Sequence, residues 1–152
     1  MKSAFTGRLG VLIIVLVIAS ACGGGSAPQG KAIQAADAWA RAAGVGANVT
    51  SAAYLTLRNP GSAADRLVQV QCDAANAVEL HKTEIKDNVM KMAPVEGGIE
   101  IPAGGEVQLK PGGLHIMLIG VQRELKAGEK LTLKLQFEKT GALTVEAEIR
   151  NP

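Results

Sequence analysis

The sequence predicts an all-β protein, either a β-sandwich or a Greek-key barrel, that forms a single domain. Several short apolar runs alternate with polar residues at the two-residue period of a strand. Turn signals rich in Gly, Pro and Asn separate these runs about every 8–12 residues, as in sandwiches and barrels. The chain has 152 residues, 47% of them hydrophobic and only 3% aromatic. The core must therefore be built from Val, Ile, Leu and Ala.

The first 21 residues predict a signal peptide that does not belong to the fold. Lys2 and Arg8 precede the apolar run "VLIIVLVIAS" and no acidic residue accompanies them. This is the pattern of a secretory signal, and the run is shorter than the roughly 20 residues that a transmembrane helix needs. The segment "ASAC" then resembles a bacterial lipobox, in which Cys22 is lipidated and becomes the first mature residue. Ordinary cleavage after Ala21 is the alternative.

The rest of the chain divides into a linker and one domain. Residues 22–30 contain the lipidated Cys22 and the flexible segment "GGGSAPQG". Residues 31–152 form the folded domain. A lipid anchor on Cys22 would tether this domain to the outer surface of a membrane without a membrane-spanning segment.

Charge and cysteine content exclude several function classes. Removal of Lys2 and Arg8 leaves 14 basic and 14 acidic residues, so no basic surface for nucleic acid is expected. Once Cys22 is lipidated, Cys72 is the remaining cysteine, which excludes an intramolecular disulfide and a CxxC redox motif. No nucleophile with a base, phosphate loop or carboxylate pair stands out, so we expect that the protein is not an enzyme.

The elements follow the same alternation along the chain. The Ala-rich run 32–43 is predicted to be a helix by propensity alone. Three short segments separated by "EGG", "PAGG" and "KPGG" follow the first group of strands, and the last leads into "LHIMLIG". Leucine and phenylalanine alternate with polar residues in the late strands, which predicts an antiparallel sheet with one face in water. The predicted longer strands are 51–59, 66–72, 77–85, 89–95, 130–138 and 142–149.

All histidines and methionines of the mature chain lie within 37 positions. They are His81, Met90, Met92, His115 and Met117. Residues two apart on a strand share a face, so Met90 lies beside Met92, and His115 beside Met117. With His81 on a third strand, the ends of three neighbouring strands could bring these side chains together at one edge of a barrel.

The chemistry of these side chains indicates a copper site. Thioether sulfur is a soft, neutral ligand that selects Cu(I) over Zn, Mg or Ca, and imidazole also suits copper. Zinc is usually bound by Cys, His or carboxylate. A site made of His and Met also avoids thiolates, which oxidise outside the cytoplasm. Neutral ligands suggest moderate affinity and easy release, as a metal carrier requires.

Two other functions remain open at this point. Methionine is a common core gap-filler, so the protein could be a non-metal β-sandwich lipoprotein that acts in adhesion or assembly. It could also be an electron-transfer cupredoxin with Cys72 as a ligand. Cys72 precedes every candidate ligand, however, and is better interpreted as a buried apolar residue. Glu79 could orient His81, although a solvated carboxylate is the favoured interpretation. Trp39 and Tyr54 are expected in the core or at its rim.

These residues resemble the signature of the PCu(A)C family of periplasmic copper chaperones. His81, Met92, His115 and Met117 follow one another at spacings of 11, 23 and 2. The flanking segments "VELH", "VMKMAPVEGGIEIPAGG" and "LKPGGLHIMLIG" are also similar to the family's. The resemblance covers about residues 32–149.

The resemblance implies a cupredoxin-like Greek-key β-barrel with one Cu(I) bound by His81, Met92, His115 and Met117. Met90 is a possible additional ligand. It also implies that the run around Trp39 is a strand. The implied function is copper delivery for assembly of the CuA centre of cytochrome c oxidase, with a Sco-type protein or the oxidase CuA subunit as acceptor. The expected location is extracytoplasmic, in the periplasm or on the cell surface, and we expect a monomer.

Overall fold

A computed structural model describes residues 32–87 and 89–151. The predicted signal peptide 1–21, Cys22 and the linker 22–30 lie outside the described residues. The described chain forms ten β-strands and contains no helix, so it has none that could span a membrane. The strands are β1 Gln34–Arg41, β2 Gly46–Arg58, β3 Asp65–Gln71, β4 Ala75–Lys86, β5 Val89–Pro94, β6 Ile99–Ile101, β7 Glu106–Leu109, β8 Leu114–Val121, β9 Lys130–Phe137 and β10 Gly141–Arg150.

One continuous sheet folds over on itself to make a sandwich. Its strand order is β5-β4-β8-β2-β1-β10-β9-β3-β6, and β7 pairs with β2 beside this path. The pairing of β1 with β10 is parallel, and the other pairings are antiparallel. The sheet stays open between β5 and β6 at its two ends. The predicted all-β fold class is confirmed, in the form of an unclosed sandwich.

The core is aliphatic, as the low aromatic content predicts. The strict alternation of β9 turns Leu131, Leu133, Leu135 and Phe137 inward, each at most 2% exposed. Strands β2 and β8 supply the facing layer, with Leu55, Leu57, Ile116 and Leu118 also buried. Each such side chain contributes about 1.5–3 kcal/mol through its removal from water. The opposite face of β8 is thereby left free for other side chains.

The Ala-rich run is strand β1, so the helix that propensity predicts is wrong and the strand that the family resemblance implies is confirmed. Pairing with β2 on one side and β10 on the other satisfies its backbone, and Ala40 is fully buried. Tertiary pairing of this kind overrides weak helix propensity.

Strand β1 contains a bulge that changes which side chains face outward. The register with β2 moves from Ala36↔Thr56 to Trp39↔Tyr54, which places one extra residue on β1. Asp37, inside the bulge, has a φ of 52°. Without the extra residue, Trp39 would lie opposite the next position of β2 and face the core. The bulge instead turns Trp39 to the face on which Tyr54 lies.

Candidate metal centre

The four predicted ligands lie on one face of the sheet. Strands β5, β4 and β8 are neighbours in that order, and residues directly opposite one another in an antiparallel pair share a face. The relevant pairs are His81↔His115, Glu79↔Met117 and Thr83↔Met92, with Ile85↔Met90 further along the β4–β5 hairpin. Since residues two apart on β4 share a face, the pairs align. The three strands are therefore neighbours, as predicted, and the candidate ligands share one face of the sheet.

His115 is buried and its ring is oriented by the turn that precedes β8. Its Nδ1 lies 3.0 Å from the carbonyl oxygen of Gly113, and the residue is 4% exposed. A carbonyl only accepts, so Nδ1 donates the proton and Nε2 keeps a lone pair. The turn depends on Gly112, whose φ of 77° is disfavoured for other residues. The turn thus fixes the tautomer in which Nε2 can bind a metal.

His81 is oriented in the same way by a different acceptor. Its Nε2 lies 2.7 Å from a carboxylate oxygen of Glu79, two residues earlier on β4. A carboxylate only accepts, so the Nε2–H group donates the hydrogen bond, and the lone pair of the neutral ring is on Nδ1. His81 Nδ1 is the one buried side-chain polar atom, within residues 32–87 and 89–151, that has no hydrogen-bond partner. The favoured interpretation of Glu79 as merely solvated is wrong, although its side chain remains 47% exposed.

The methionines are not packed as core gap-fillers. Met90 is 69% exposed and Met92 is 53% exposed, while Met117 is half-buried. All three line an open cleft of about 530 Å³ together with His115. The exposed thioethers of Met90 and Met92 gain little from the hydrophobic effect, so core packing does not explain their positions.

His81 lies beside this cleft and does not line it. Its ring centroid is 5.9 Å from that of His115, and the two planes are inclined by 54°. The structure therefore brings His115, Met117, Met92 and Met90 to the cleft wall. His81 lies next to His115 on β4, between β8 and β5.

Two aromatic side chains that sequence reasoning assigned to the core or rim border the site. Tyr54 lines the cleft, and its ring centroid is 6.4 Å from that of His115. Trp39 packs on Tyr54, and their ring centroids are 4.6 Å apart. The alternation of β2 could have placed Tyr54 on the outer face, but nothing in the sequence indicates that β2 lies beside β8. The outward orientation of Trp39 could not be predicted from alternation, because the bulge in β1 interrupts it.

The donor set favours a soft metal ion. No group of three His, Cys, Asp or Glu side chains comes together in the described part of the chain, so a typical zinc or hard-metal site is not formed there. Two imidazoles with thioethers suit Cu(I). Cys72 is buried in the core and does not line the cleft. Burial raises the pKa of its thiol, which disfavours the thiolate that binds metal.

Solved structures define the class of this domain. The chain is similar to the apo PCuAC domain from PmoF1, with 26% identity and a TM-score of 0.66 over 81% of this chain and 97% of that one. It is also similar to CuI-DR1885 from Deinococcus radiodurans, with 30% identity and a TM-score of 0.57 over 80% of this chain and 81% of that one. The chain is therefore a cupredoxin-like domain of the PCuAC class, as the sequence resemblance implies.

Sequence comparison gives the family. The profile described as "Putative lipoprotein LpqE-like" matches residues 33–149, and the chain belongs to this LpqE-like family. It is 34% identical over 123 residues to "Putative lipoprotein Lxx21020" of Leifsonia xyli subsp. xyli. The aligned region covers 81% of this chain and 72% of that protein.

Proposed function

We propose that this protein is an extracytoplasmic copper chaperone. It binds one Cu(I) through His81, Met92, His115 and Met117 and passes it to an acceptor protein by ligand exchange. Its destination is the CuA centre of cytochrome c oxidase, reached through a Sco-type protein or directly through the oxidase subunit. Lipidated Cys22 tethers it to the membrane. The lipoprotein names of the family and of the Leifsonia relative support the anchor, and the Cu(I)-bound Deinococcus structure supports the cargo.

The observation that carries the proposal is the state of the two imidazoles. Each has one nitrogen engaged by a fixed acceptor, Glu79 for His81 and the Gly113 carbonyl for His115. His115 lines the thioether-lined cleft and keeps a lone pair on Nε2, while the adjacent His81 keeps its lone pair on a buried Nδ1. Metal-binding histidines are commonly oriented by such outer partners. The buried Nδ1 of His81, which has no partner in the described protein, is the atom that a metal ion would satisfy.

A competition titration tests the proposal. Purified protein competes with a chromogenic chelator for Cu(I), and the Met92→Leu/Met117→Leu variant is titrated in parallel. Leucine conserves volume and leaves the fold intact, while it removes both sulfur donors. We expect one tight equivalent in the wild type and a loss of at least about 100-fold in affinity in the variant, beyond what outer-partner substitutions cost. Equal binding by both proteins would contradict the proposal.

Two single variants complete the experiment. Met90→Leu is expected to keep binding within a few-fold, because Met90 lies two residues further toward the hairpin tip than Met92, on the same face. Cys72→Ser is expected to leave Cu(I) binding unchanged. A blue Cu(II) absorption lost in Cys72→Ser would indicate an electron-transfer cupredoxin instead.

A further inference from the structure

Exposed apolar side chains concentrate on the β4–β5 hairpin beside the cleft. Six large hydrophobic residues of the described chain are exposed. Four of them lie on this hairpin, and three of these, Ile85, Met90 and Met92, share the face of the candidate site. Val89 lies on the other face of the hairpin, and Val45 and Val68 lie on other parts of the chain. A grouped exposure of this kind indicates an interaction surface, whereas scattered single residues need no explanation.

Positive charge borders the same surface. Arg41 ends β1, and the register turns it to the outer face with Trp39. Arg41 and Lys91 both line the cleft, and no carboxylate does. On the hairpin, Lys82 pairs with Glu84, while Lys86, Lys91 and Arg41 form no ion pair with any described residue. The chain as a whole has a net charge of only +2, so this charge is local.

We propose that the cleft-facing side of the β4–β5 hairpin, together with the two cations that line the cleft, forms a docking surface for a copper-accepting protein whose contact face is apolar and rimmed by carboxylates. This inference rests on the proposed function. We name this surface, formed by Arg41, Ile85, Met90 and Lys91, the rim surface. Complementary charge steers the partner to the cleft, and the apolar residues hold it there.

A protein partner fits the rim surface better than a lipid bilayer does. Met90 and Met92 belong both to the apolar hairpin and to the cleft wall. Whatever contacts the hairpin therefore lies within reach of the metal ligands. An acceptor protein requires that closeness for ligand exchange, whereas a bilayer would cover the ligands without receiving the metal.

Copper extraction by two chelators tests the rim surface. Bathocuproine disulfonate is aromatic and anionic, which matches the proposed partner chemistry, and neocuproine is the uncharged analogue. The Cu(I)-loaded protein is mixed with each, and the extraction rate is followed by absorbance at low and high salt. We expect the anionic chelator to extract copper at a rate that rises with its concentration and falls with salt. In the Arg41→Glu/Lys91→Glu variant that rate should fall about tenfold, while the neocuproine rate stays unchanged.

The control variant is Lys130→Glu/Lys134→Glu, which reverses two exposed charges on β9. It should behave as the wild type. The proposal is overturned if the control variant slows extraction as much as the test variant does. It is also overturned if the test variant slows extraction by both chelators equally, or if the extraction rate is independent of chelator concentration. Binding of the protein to phosphatidylglycerol vesicles with no chelator effect would assign the rim surface to a membrane and also overturn it. Absence of Cu(I) binding at the outset would instead refute the proposed function.

Discussion

At the residue scale, the distinctive feature of the candidate site is, within the described chain, the unpartnered ring nitrogen of His81. A buried polar atom without a partner costs about 1–3 kcal/mol, and His81 Nδ1 is such an atom. The hydrogen bond to Glu79 keeps the ring in this orientation. If His81 is a copper ligand, as we propose, donation of the Nδ1 lone pair to the metal would remove this cost.

Glu79→Ala is predicted to weaken copper binding without removing a ligand. The His81 ring would lose its acceptor at Nε2 and with it the preference for the tautomer that leaves Nδ1 free. We expect Cu(I) affinity to fall about tenfold, within the range for outer partners of metal ligands. Nitrogen NMR of the metal-free protein should report a redistribution of the His81 proton.

The matched control for this prediction is Glu84→Ala. Glu84 lies on the same strand, is exposed and pairs with Lys82. It should change neither the affinity nor the His81 tautomer. If Glu79→Ala behaves like Glu84→Ala in both measurements, the orienting role of Glu79 is refuted.

Asp65 is a buried carboxylate with a structural role far from the cleft. It is 4% exposed, and its oxygens accept hydrogen bonds from the backbone N–H groups of Arg66, Lys139 and Thr140 and from the Thr140 hydroxyl, at 2.7–2.9 Å. Burial raises the pKa of Asp65, but the hydrogen bonds from the Thr140 hydroxyl and from the three backbone N–H groups together lower it by more. The net pKa therefore lies below the usual value. Asp65 thus joins β3 to the β9–β10 turn in its ionised form.

This predicts a defined acid dependence of stability. Because the folded pKa of Asp65 is depressed, its contribution is complete above the unfolded pKa of about 3.9 and is lost as pH falls through the folded pKa. Asp65→Asn should lower the free energy of unfolding by about 2 kcal/mol at pH 7. In urea denaturation the difference from wild type should narrow at pH 3. A difference that stays constant with pH would contradict the assignment, and exposed Asp73→Asn serves as the control.

At the scale of elements, the bulge in β1 decides what the site contains. The one-residue shift between Ala36 and Trp39 turns Trp39 and Arg41 outward. A one-residue change of register moves every later side chain to the opposite face. The packing of Trp39 on Tyr54 and the position of Arg41 at the cleft therefore both depend on a local backbone irregularity at Asp37.

Substitution of Asp37 tests this irregularity. Asp37 is exposed and adopts a φ of 52°, which Asp tolerates and a β-branched residue does not. Asp37→Val should lower the free energy of unfolding by about 1–2 kcal/mol, while Asp37→Gly should be neutral or slightly stabilising. Urea denaturation measures both. Equal stability of the valine and glycine variants would mean that the bulge is not formed in solution.

The elements also differ in how far the sequence predicts them. Strand β9 was predictable because its buried and polar residues alternate without interruption, and His115 and Met117 share a face for the same reason. Strand β1 was not, because alanine favours a helix and only pairing with β2 and β10 decides otherwise. The role of Glu79 depends on side-chain rotamers, which strand periodicity does not specify. The ligand set itself stays a prediction, drawn from chemistry and family resemblance.

At the scale of the molecule, the sheet separates stability from function. One face of β4, β8 and β2 supplies Leu80, Ile116, Leu118 and Leu55 to the core, and the other face carries the candidate site. Substitutions on the outer face should therefore change metal binding with little loss of folding. Variants of the outer face should therefore have similar metal-free stability, so a difference in their stability with Cu(I) reports a difference in Cu(I) binding.

Cu(I) is predicted to stabilise the folded domain. A ligand that binds only the folded state adds about 2.7 kcal/mol when its free concentration is 100 times the dissociation constant. The thermal unfolding midpoint of the wild type should rise with Cu(I), while Met92→Leu/Met117→Leu should unfold near the metal-free wild-type midpoint with or without Cu(I). An equal rise in both proteins would mean that copper binds elsewhere.

The central claim, that Cu(I) is held jointly by imidazole and thioether, is tested most directly by copper X-ray absorption spectroscopy of the loaded protein. We predict Cu(I) with both nitrogen and sulfur neighbours, and loss of the sulfur contribution in Met92→Leu/Met117→Leu. Neighbours that are nitrogen or oxygen alone in the wild type would contradict the claim. So would a sulfur contribution that survives in this variant and disappears in Cys72→Ser.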